Sequence, residues 1–193
     1  MASIQDSGVF DMAQTQRTYA QIIALLPDNN AGDISPQDIR DFAESFRPLM
    51  GEVYRQSGAG TVTTTVAGTY YEVATGTWAS VTSLMGFDMS AGNGRLTYTG
   101  TVPVMMHIAL SISFTLANNN VTTHWRIGVN GTPSPVAQAD RKVGTGADVG
   151  STALHLIAML NTGDYISAFV STETAGAVVT PTSMNLQAIG NVL

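Results

Sequence analysis

Hydrophobic residues change their spacing along the chain near residue 70. Before that point, a helical spacing of three and four connects Met12, Tyr19, Ile22, Ile23 and Leu26. The run Pro27 to Asn30 then ends this pattern. From Tyr70 onward the spacing is two, most clearly in residues 104–116, where one parity is strongly apolar. The pattern predicts a short helical N-terminal segment followed by a mainly β domain.

A second helix is predicted to begin after residue 35. Ser35 is a suitable N-cap, Pro36 suits the first helical position, and the carboxylate of Asp38 can reach back to the cap amide. Ile34 and Ile39 are spaced for a hydrophobic staple across this cap. These signals predict a two-helix segment within residues 1–50.

Two helices this short cannot bury enough surface to fold alone. Their apolar stripes are expected to pack on the β domain, on sister chains or on another protein. The surface expected to dock on another protein consists of Ile34, Pro36, Ile39, Arg40, Phe42 and Phe46.

Small and polar residues fill positions 51–69, which we interpret as a linker or stalk. An alternative is that Val62, Thr64 and Val66 begin the β domain as its first strand. The predicted organisation is a helical segment over 1–50, a linker over 51–69 and a β domain over 70–193.

Turn signals divide the β domain into short strands without helices between them, which is typical of an antiparallel sandwich. Asn130-Gly131 predicts a tight hairpin turn after the strand 123–129. The other predicted features are a turn at 118–120, a loop-rich stretch at 133–150, strands 153–160 and 165–171 paired across 161–164, and a last strand at 184–189.

The order of several short motifs resembles the family of C1q and tumour-necrosis-factor-like jelly rolls. The motifs are residues 94–100, 111–114, 127–131 and 160–166, the last with a Gly-Asp-aromatic turn. The resemblance implies a jelly-roll sandwich that assembles as a threefold trimer.

The strand 153–160 carries apolar residues at both its odd and its even positions, and therefore on both faces. The face turned away from the core is expected to need a covering layer. A trimer interface formed by His155, Ile157 and Met159 would supply this cover. The alternative is a loop folded over the face.

Residues 25–41 resemble a segment found near the N-termini of phage virion proteins. This resemblance implies an adaptor that binds another capsid or tail protein. It places the chain on the surface of a tailed-phage virion, after synthesis in the host cytoplasm.

Charged residues make up 11% of the chain, against about 25% in an average soluble domain. Such a composition favours a surface covered by other copies of the chain or by neighbouring proteins, although a monomeric sandwich with a Thr- and Ser-rich surface is the alternative.

The net charge of −6 argues against nucleic-acid binding, which needs clustered Lys and Arg. We expect no signal peptide in residues 1–17 and no membrane insertion, since no run of 18 apolar residues occurs.

Candidate chemistry is sparse. His107, His124 and His155 lie in predicted strands without an acidic or Cys neighbour at ligand spacing, so a structural or interfacial role is expected. In a trimer, a strand histidine near the axis would be repeated three times and could hold an ion. The acidic residues of the β domain are scattered and cysteine is absent, so we expect no enzyme activity, no cofactor and no resident metal.

A glycan site is considered at Trp78 and Arg141, beside the stretch 133–150. Aromatic rings stack on sugars, and arginine can hydrogen-bond to the sugar hydroxyl groups.

The favoured interpretation is a non-enzymatic, trimeric capsid-surface fibre or decoration protein. The alternative is a tail-associated receptor-binding protein that recognises host surface glycans, and a depolymerase is disfavoured for lack of paired acids.

Overall fold

The structure is a computed structural model that describes residues 17–25, 34–56, 60–81, 84–89, 92–145 and 148–192. Met12, Leu26, the predicted helix end at 27–30 and the small residues 57–59 lie outside this description. No helix in the described ranges is long and apolar enough to span a bilayer. The helices and strands are α1 (Tyr19–Leu25), α2 (Pro36–Ser45), β1 (Leu49–Gln56), β2 (Val62–Thr64), β3 (Tyr71–Glu72), β4 (Ala79–Ser80), β5 (Phe87–Asp88), β6 (Leu96–Tyr98), β7 (Val104–Leu116), β8 (Val121–Val129), β9 (Thr132–Val143), β10 (Gly150–Leu160), β11 (Tyr165–Thr172) and β12 (Ala177–Val192).

Two antiparallel sheets pack face to face. Sheet 1 has the order β10-β7-β12-β1-β4, with β2 also on β12, and sheet 2 has the order β5-β6-β11-β8-β9, with β3 also on β11. The pairings are nested: β1 pairs with β12, β6 with β11, β7 with β10 and β8 with β9. This nesting, in which the first long strand pairs with the last and the middle two with each other, is the jelly-roll topology. The predicted fold class is therefore confirmed: a jelly-roll sandwich preceded by two short helices.

The core lies between the sheets and follows the predicted alternation. The inward residues of β7, from Val104 to Phe114, are almost completely buried. Phe114 packs against Trp125 of β8, with ring centroids 4.9 Å apart. On β10, Leu154, Leu156 and Leu160 face the same core. The hairpin turn after β8 is also confirmed, since Asn130 and Gly131 both have positive φ.

The predicted linker over 51–69 is wrong for residues 51–56 and 62–64, which form β1 and β2, and the sandwich begins at Leu49. β1 pairs with β12 over its whole length, and its inward positions include Gly51 and Arg55. At Gly51 a β-carbon would lie within 3 Å of the side chains of Phe87 and Leu96, so a larger residue would force one of them to move. Arg55 is buried and donates to the carbonyl of Thr75 at 2.8 Å. A glycine and an arginine at inward positions interrupt the apolar alternation that marks a strand.

Three other predictions need correction. The stretch 133–150 is not a loop, because most of it forms β9 along the edge of sheet 2. The predicted pairing of 153–160 with 165–171 is also wrong: β10 pairs with β7 in sheet 1, whereas β11 lies in sheet 2. The last strand is longer than predicted and starts at Ala177 rather than Met184.

The capping box of α2 is present as predicted. The amide of Asp38 donates to Ser35 Oγ at 3.2 Å, and the amide of Ser35 donates to Asp38 Oδ2 at 2.8 Å. The hydrogen bonds from Ser35 hold the pKa of Asp38 below its usual value. Arg17, just before α1, forms a 2.7 Å ion pair with the buried Asp41 and thereby joins the two helices.

Two glycines with similar backbone angles allow a test of the packing around Trp78. Gly94 and Gly163 have φ of 75° and 87°, but a β-carbon would overlap the indole of Trp78 only at Gly94. Gly163→Ala is expected to cost about 1 kcal/mol through backbone strain. Gly94→Ala is expected to cost about 1–3 kcal/mol more, through overpacking. Urea unfolding of both variants measures the difference, and equal losses would contradict this packing argument.

Candidate functional site

The outer face of sheet 1 carries an exposed apolar patch. Alternation along β10 turns Ile157 and Met159 outward, and their side chains are 69% and 54% exposed. Monomeric soluble proteins rarely leave such a cluster uncovered. The five exposed large residues of this patch, called here the outer patch, are Met50, Met105, Ile157, Met159 and Ile189.

Strand register makes the outer patch continuous. Ile157 lies opposite His107, His107 opposite Ile189, and Ile189 opposite Met50, which gives one row across four strands. The next row places Met159 opposite Met105. Neighbouring side chains in such rows are about 5 Å apart, so the residues form one surface rather than isolated exposed groups.

A shallow hollow continues the outer face away from the patch. Its volume is about 380 Å³, and small side chains of β7, β10 and β12 line it, including Ser111, Ser151, Ala153 and Ser183. The face is therefore apolar at one end and small and polar at the other, with no charged side chain among the residues that line the hollow. A surface of this kind can receive another protein surface at close range.

Two histidines lie within and beside the outer patch: His107 stands between Ile157 and Ile189 in the first row, and His155 is two residues from Ile157. His155 Nδ1 and His107 Nε2 are 3.2 Å apart, and the rings stack with centroids separated by 5.1 Å. Both side chains are exposed. The predicted interfacial residues His155, Ile157 and Met159 thus all point outward from β10, on the uncovered face of sheet 1.

The second exposed apolar surface is one side of α2. Ile39, Phe42 and Phe46 are exposed, and the two phenylalanine rings contact each other with centroids 4.7 Å apart. The polar side of the helix is the covered one, since Asp41 and Ser45 are buried against Arg17.

The remaining residues of the predicted docking surface surround this stripe. Ile34 is half-buried, and Pro36 is exposed at the first turn. Arg40 is half-buried and donates to Gln37 Oε1 at 2.9 Å. The helix therefore presents three adjacent apolar side chains to solvent, with an arginine beside them.

The outer face of sheet 2 differs, because its polar side chains are joined to each other. Gln138 Oε1 accepts hydrogen bonds from Tyr70 and from Arg126, whose guanidinium lies 4.3 Å from the centre of the Tyr70 ring. Gln138 Nε2 donates to Asp140, which also forms a 2.7 Å hydrogen bond with His124. The hydrogen bond with His124 holds the pKa of Asp140 below its usual value.

A second ion pair extends this polar face. Arg95 donates hydrogen bonds to both carboxylate oxygens of Glu72, from Nε to Oε1 at 2.8 Å and from Nη2 to Oε2 at 2.7 Å. Its guanidinium lies 4.3 Å from the centre of the Tyr165 ring. Burial acts to raise the pKa of Glu72, but the hydrogen bonds and charge of Arg95 outweigh it, so this pKa is lowered.

The two residues considered for glycan binding occupy different environments. Trp78 is only 7% exposed and packs in the core, so its ring faces are not available for stacking on a sugar. Arg141 is exposed on β9. Within the described ranges, no group of three or more His, Asp or Glu side chains is placed to hold a metal ion. Glycan recognition stays a prediction.

Sequence reasoning found only part of the outer patch. It identified the β10 residues but not Met50, Met105 or Ile189. For Met105 a signal exists on the outward positions of β7, where Met105 and His107 are large and the residues that follow, Ala109 to Thr115, are small. The contact of His107 with His155 could not be found this way, because it depends on which strands pair.

No family model matches the chain, and no curated protein matches it. Among solved structures, the chain is similar to the Eiger TNF from S. frugiperda, at 14% identity and a TM-score of 0.46, over 75% of this chain and 93% of that one. It is also similar to murine APRIL, at 14% identity and a TM-score of 0.46, over 73% of this chain and 98% of that one. The PRD1 vertex protein P5 is similar at 8% identity and a TM-score of 0.44, over 75% of this chain and 96% of that one. These values are too low to inform on assembly or function, and the jelly-roll assignment rests on the strand order.

The Glu72–Arg95 pair predicts a pH dependence of stability. A carboxyl whose pKa is lower in the folded state stabilises the fold when ionised, and this contribution is lost as the pH falls through its unfolded and folded pKa values. We expect Glu72→Gln to lower the free energy of unfolding by about 1 kcal/mol at pH 7. Below about pH 4 the wild type and the variant should converge.

Chemical denaturation between pH 7 and pH 3 measures this effect. Glu44→Gln is the control, because its carboxylate makes a single 3.3 Å contact with the exposed Arg47 and is expected to contribute little. A constant difference between wild type and Glu72→Gln across the whole pH range would contradict the assigned role of the ionised carboxylate.

Proposed function

We propose that the chain is a non-enzymatic structural protein of a tailed-phage virion, a trimeric capsid-surface fibre or decoration protein anchored by its N-terminal segment. The observation that carries the proposal is the outer patch, a set of exposed apolar side chains around His107 on one face of a sandwich whose core is already complete. Its residues are not needed to fill the space between the sheets, and a second copy of the chain would bury them.

Self-association fits the outer patch better than a lone domain does. Burial of apolar surface contributes roughly 25 cal/mol per Å², so the exposed isoleucine and methionine side chains of three chains favour assembly. The row from Ile157 to Met50 crosses four strands and gives a broad, flat contact area. Threefold symmetry is what the sequence resemblance to C1q and tumour-necrosis-factor-like jelly rolls implies.

Anchoring is assigned to the exposed side of α2. Ile39, Phe42 and Phe46 form a second apolar surface, separate in sequence from the outer patch, on a helix with a complete capping box. An amphipathic helix of this kind binds by inserting such side chains into an apolar groove of its partner. The resemblance of residues 25–41 to N-terminal segments of phage virion proteins makes another virion protein the expected partner, and the virion surface the expected location.

The outer patch predicts that one charge will prevent assembly. Ile157→Glu would place a carboxylate within the contact, where burying an unpaired charge is strongly unfavourable. We expect light scattering to give a threefold mass for the wild type and a single-chain mass for the variant. Val136→Glu is the control, because Val136 is equally apolar and 82% exposed but lies on β9 in sheet 2. A trimer of Ile157→Glu, or a monomer of the wild type, would refute this interface.

The exposed apolar residues of α2 predict a variant that still forms trimers but is not incorporated into the virion. Virions from a phage that encodes Ile39→Ser, Phe42→Ser and Phe46→Ser together should lose at least about nine-tenths of the protein, as measured by immunoblotting. Val66→Ser is the control, since Val66 is exposed but belongs to neither apolar surface. Normal incorporation of the triple variant would contradict anchoring by α2. Immunogold labelling confined to the tail would favour the alternative, a receptor-binding protein.

A further inference from the structure

The stacked histidines on sheet 1 are brought together by strand register. His107 lies opposite Ile157 on the neighbouring strand, and His155 is two residues from Ile157, so the two imidazoles are diagonal neighbours on one face. They are far apart in sequence but are held by eleven consecutive residue pairs between β7 and β10. The backbone beneath them is therefore fixed, and the rings need only side-chain rotation to meet a common ligand.

The two ring nitrogens form a hydrogen bond, and their separation is close to that between two nitrogen ligands of one metal ion, which would replace the shared proton. His155 Nδ1 and His107 Nε2 are 3.2 Å apart. Zinc binds imidazole nitrogen at about 2.0–2.1 Å, so two nitrogens of a tetrahedral site are about 3.3–3.4 Å apart. Both rings are exposed, so an ion and its water ligands can reach them from solvent.

We propose that His107 and His155 chelate one divalent transition-metal ion, of the zinc or copper class, on the outer face of sheet 1. Imidazole is a good ligand for both metals, whereas magnesium and calcium prefer oxygen. No third His, Asp or Glu joins the pair among the described residues of one chain, so water fills the other positions in the isolated chain. Because both protein ligands come from one chain, this site does not depend on the proposed trimer.

Isothermal titration of the tag-free, full-length chain with ZnCl2 tests the proposal. We expect one ion per chain, and an affinity at least about tenfold weaker for His107→Gln and for His155→Gln. Glutamine keeps the hydrogen-bonding capacity and size of the side chain, so the fold should persist, and equal metal-free unfolding midpoints confirm it. His124→Gln is the matched control, because His124 lies in sheet 2 and pairs with Asp140. Equal zinc affinity in all four proteins would overturn the proposal.

Electron paramagnetic resonance with CuCl2 gives a second measurement that a purely structural histidine pair would not affect. The wild type should show superhyperfine coupling to two imidazole nitrogens, and each single variant should lose one of them. A spectrum identical in the wild type and in both variants would show that copper binds elsewhere. Repeating the titration and light scattering with Met50→Glu, whose site lies two strands away from His107, keeps this test separate from assembly, since a monomeric variant that still binds zinc supports the chelate and contradicts only a shared site.

Discussion

The structure depends on the register of β7 between β10 and β12. Successive residues of a strand point to opposite faces, so this one alignment determines both surfaces of sheet 1. It sends every second residue from Val104 to Phe114 into the core and turns Met105 and His107 outward. A shift by one residue would exchange the two sets and bury the imidazole in the core. The fold and the outer patch are thus fixed by the same hydrogen-bonded ladder.

Much of this arrangement is predictable from local sequence. The alternation of β7, the Asn130-Gly131 turn and the Ser35 cap each depend on residues close together in the chain, and all three are present. Strands with unusual inward residues are not recognisable in this way. Gly51 and Arg55 break the apolar alternation of β1, and Pro133 is a residue that usually argues against a strand at β9. The proline is tolerated there because β9 lies at the edge of sheet 2.

Pairing between distant strands is the part that local patterns cannot supply. The turn before Tyr165 suggests that β10 and β11 form a hairpin, because neighbouring strands often pair. In a jelly roll the chain instead crosses from one sheet to the other at this turn, so β10 joins β7. That crossing decides the candidate site, because it places His155 beside His107 and Met159 beside Met105.

The two outer faces of the sandwich satisfy their surface groups in different ways. On sheet 2, the charges of Arg95, Arg126 and Asp140 are paired with other side chains of the same face, so the surface is complete in water. On sheet 1, Ile157 and its apolar neighbours cannot be stabilised by such polar contacts, because an apolar side chain lowers its free energy only by leaving water. The two outer faces thus differ in what they present to solvent: sheet 1 exposes a cluster of large apolar side chains, whereas sheet 2 presents polar side chains that are bonded to each other.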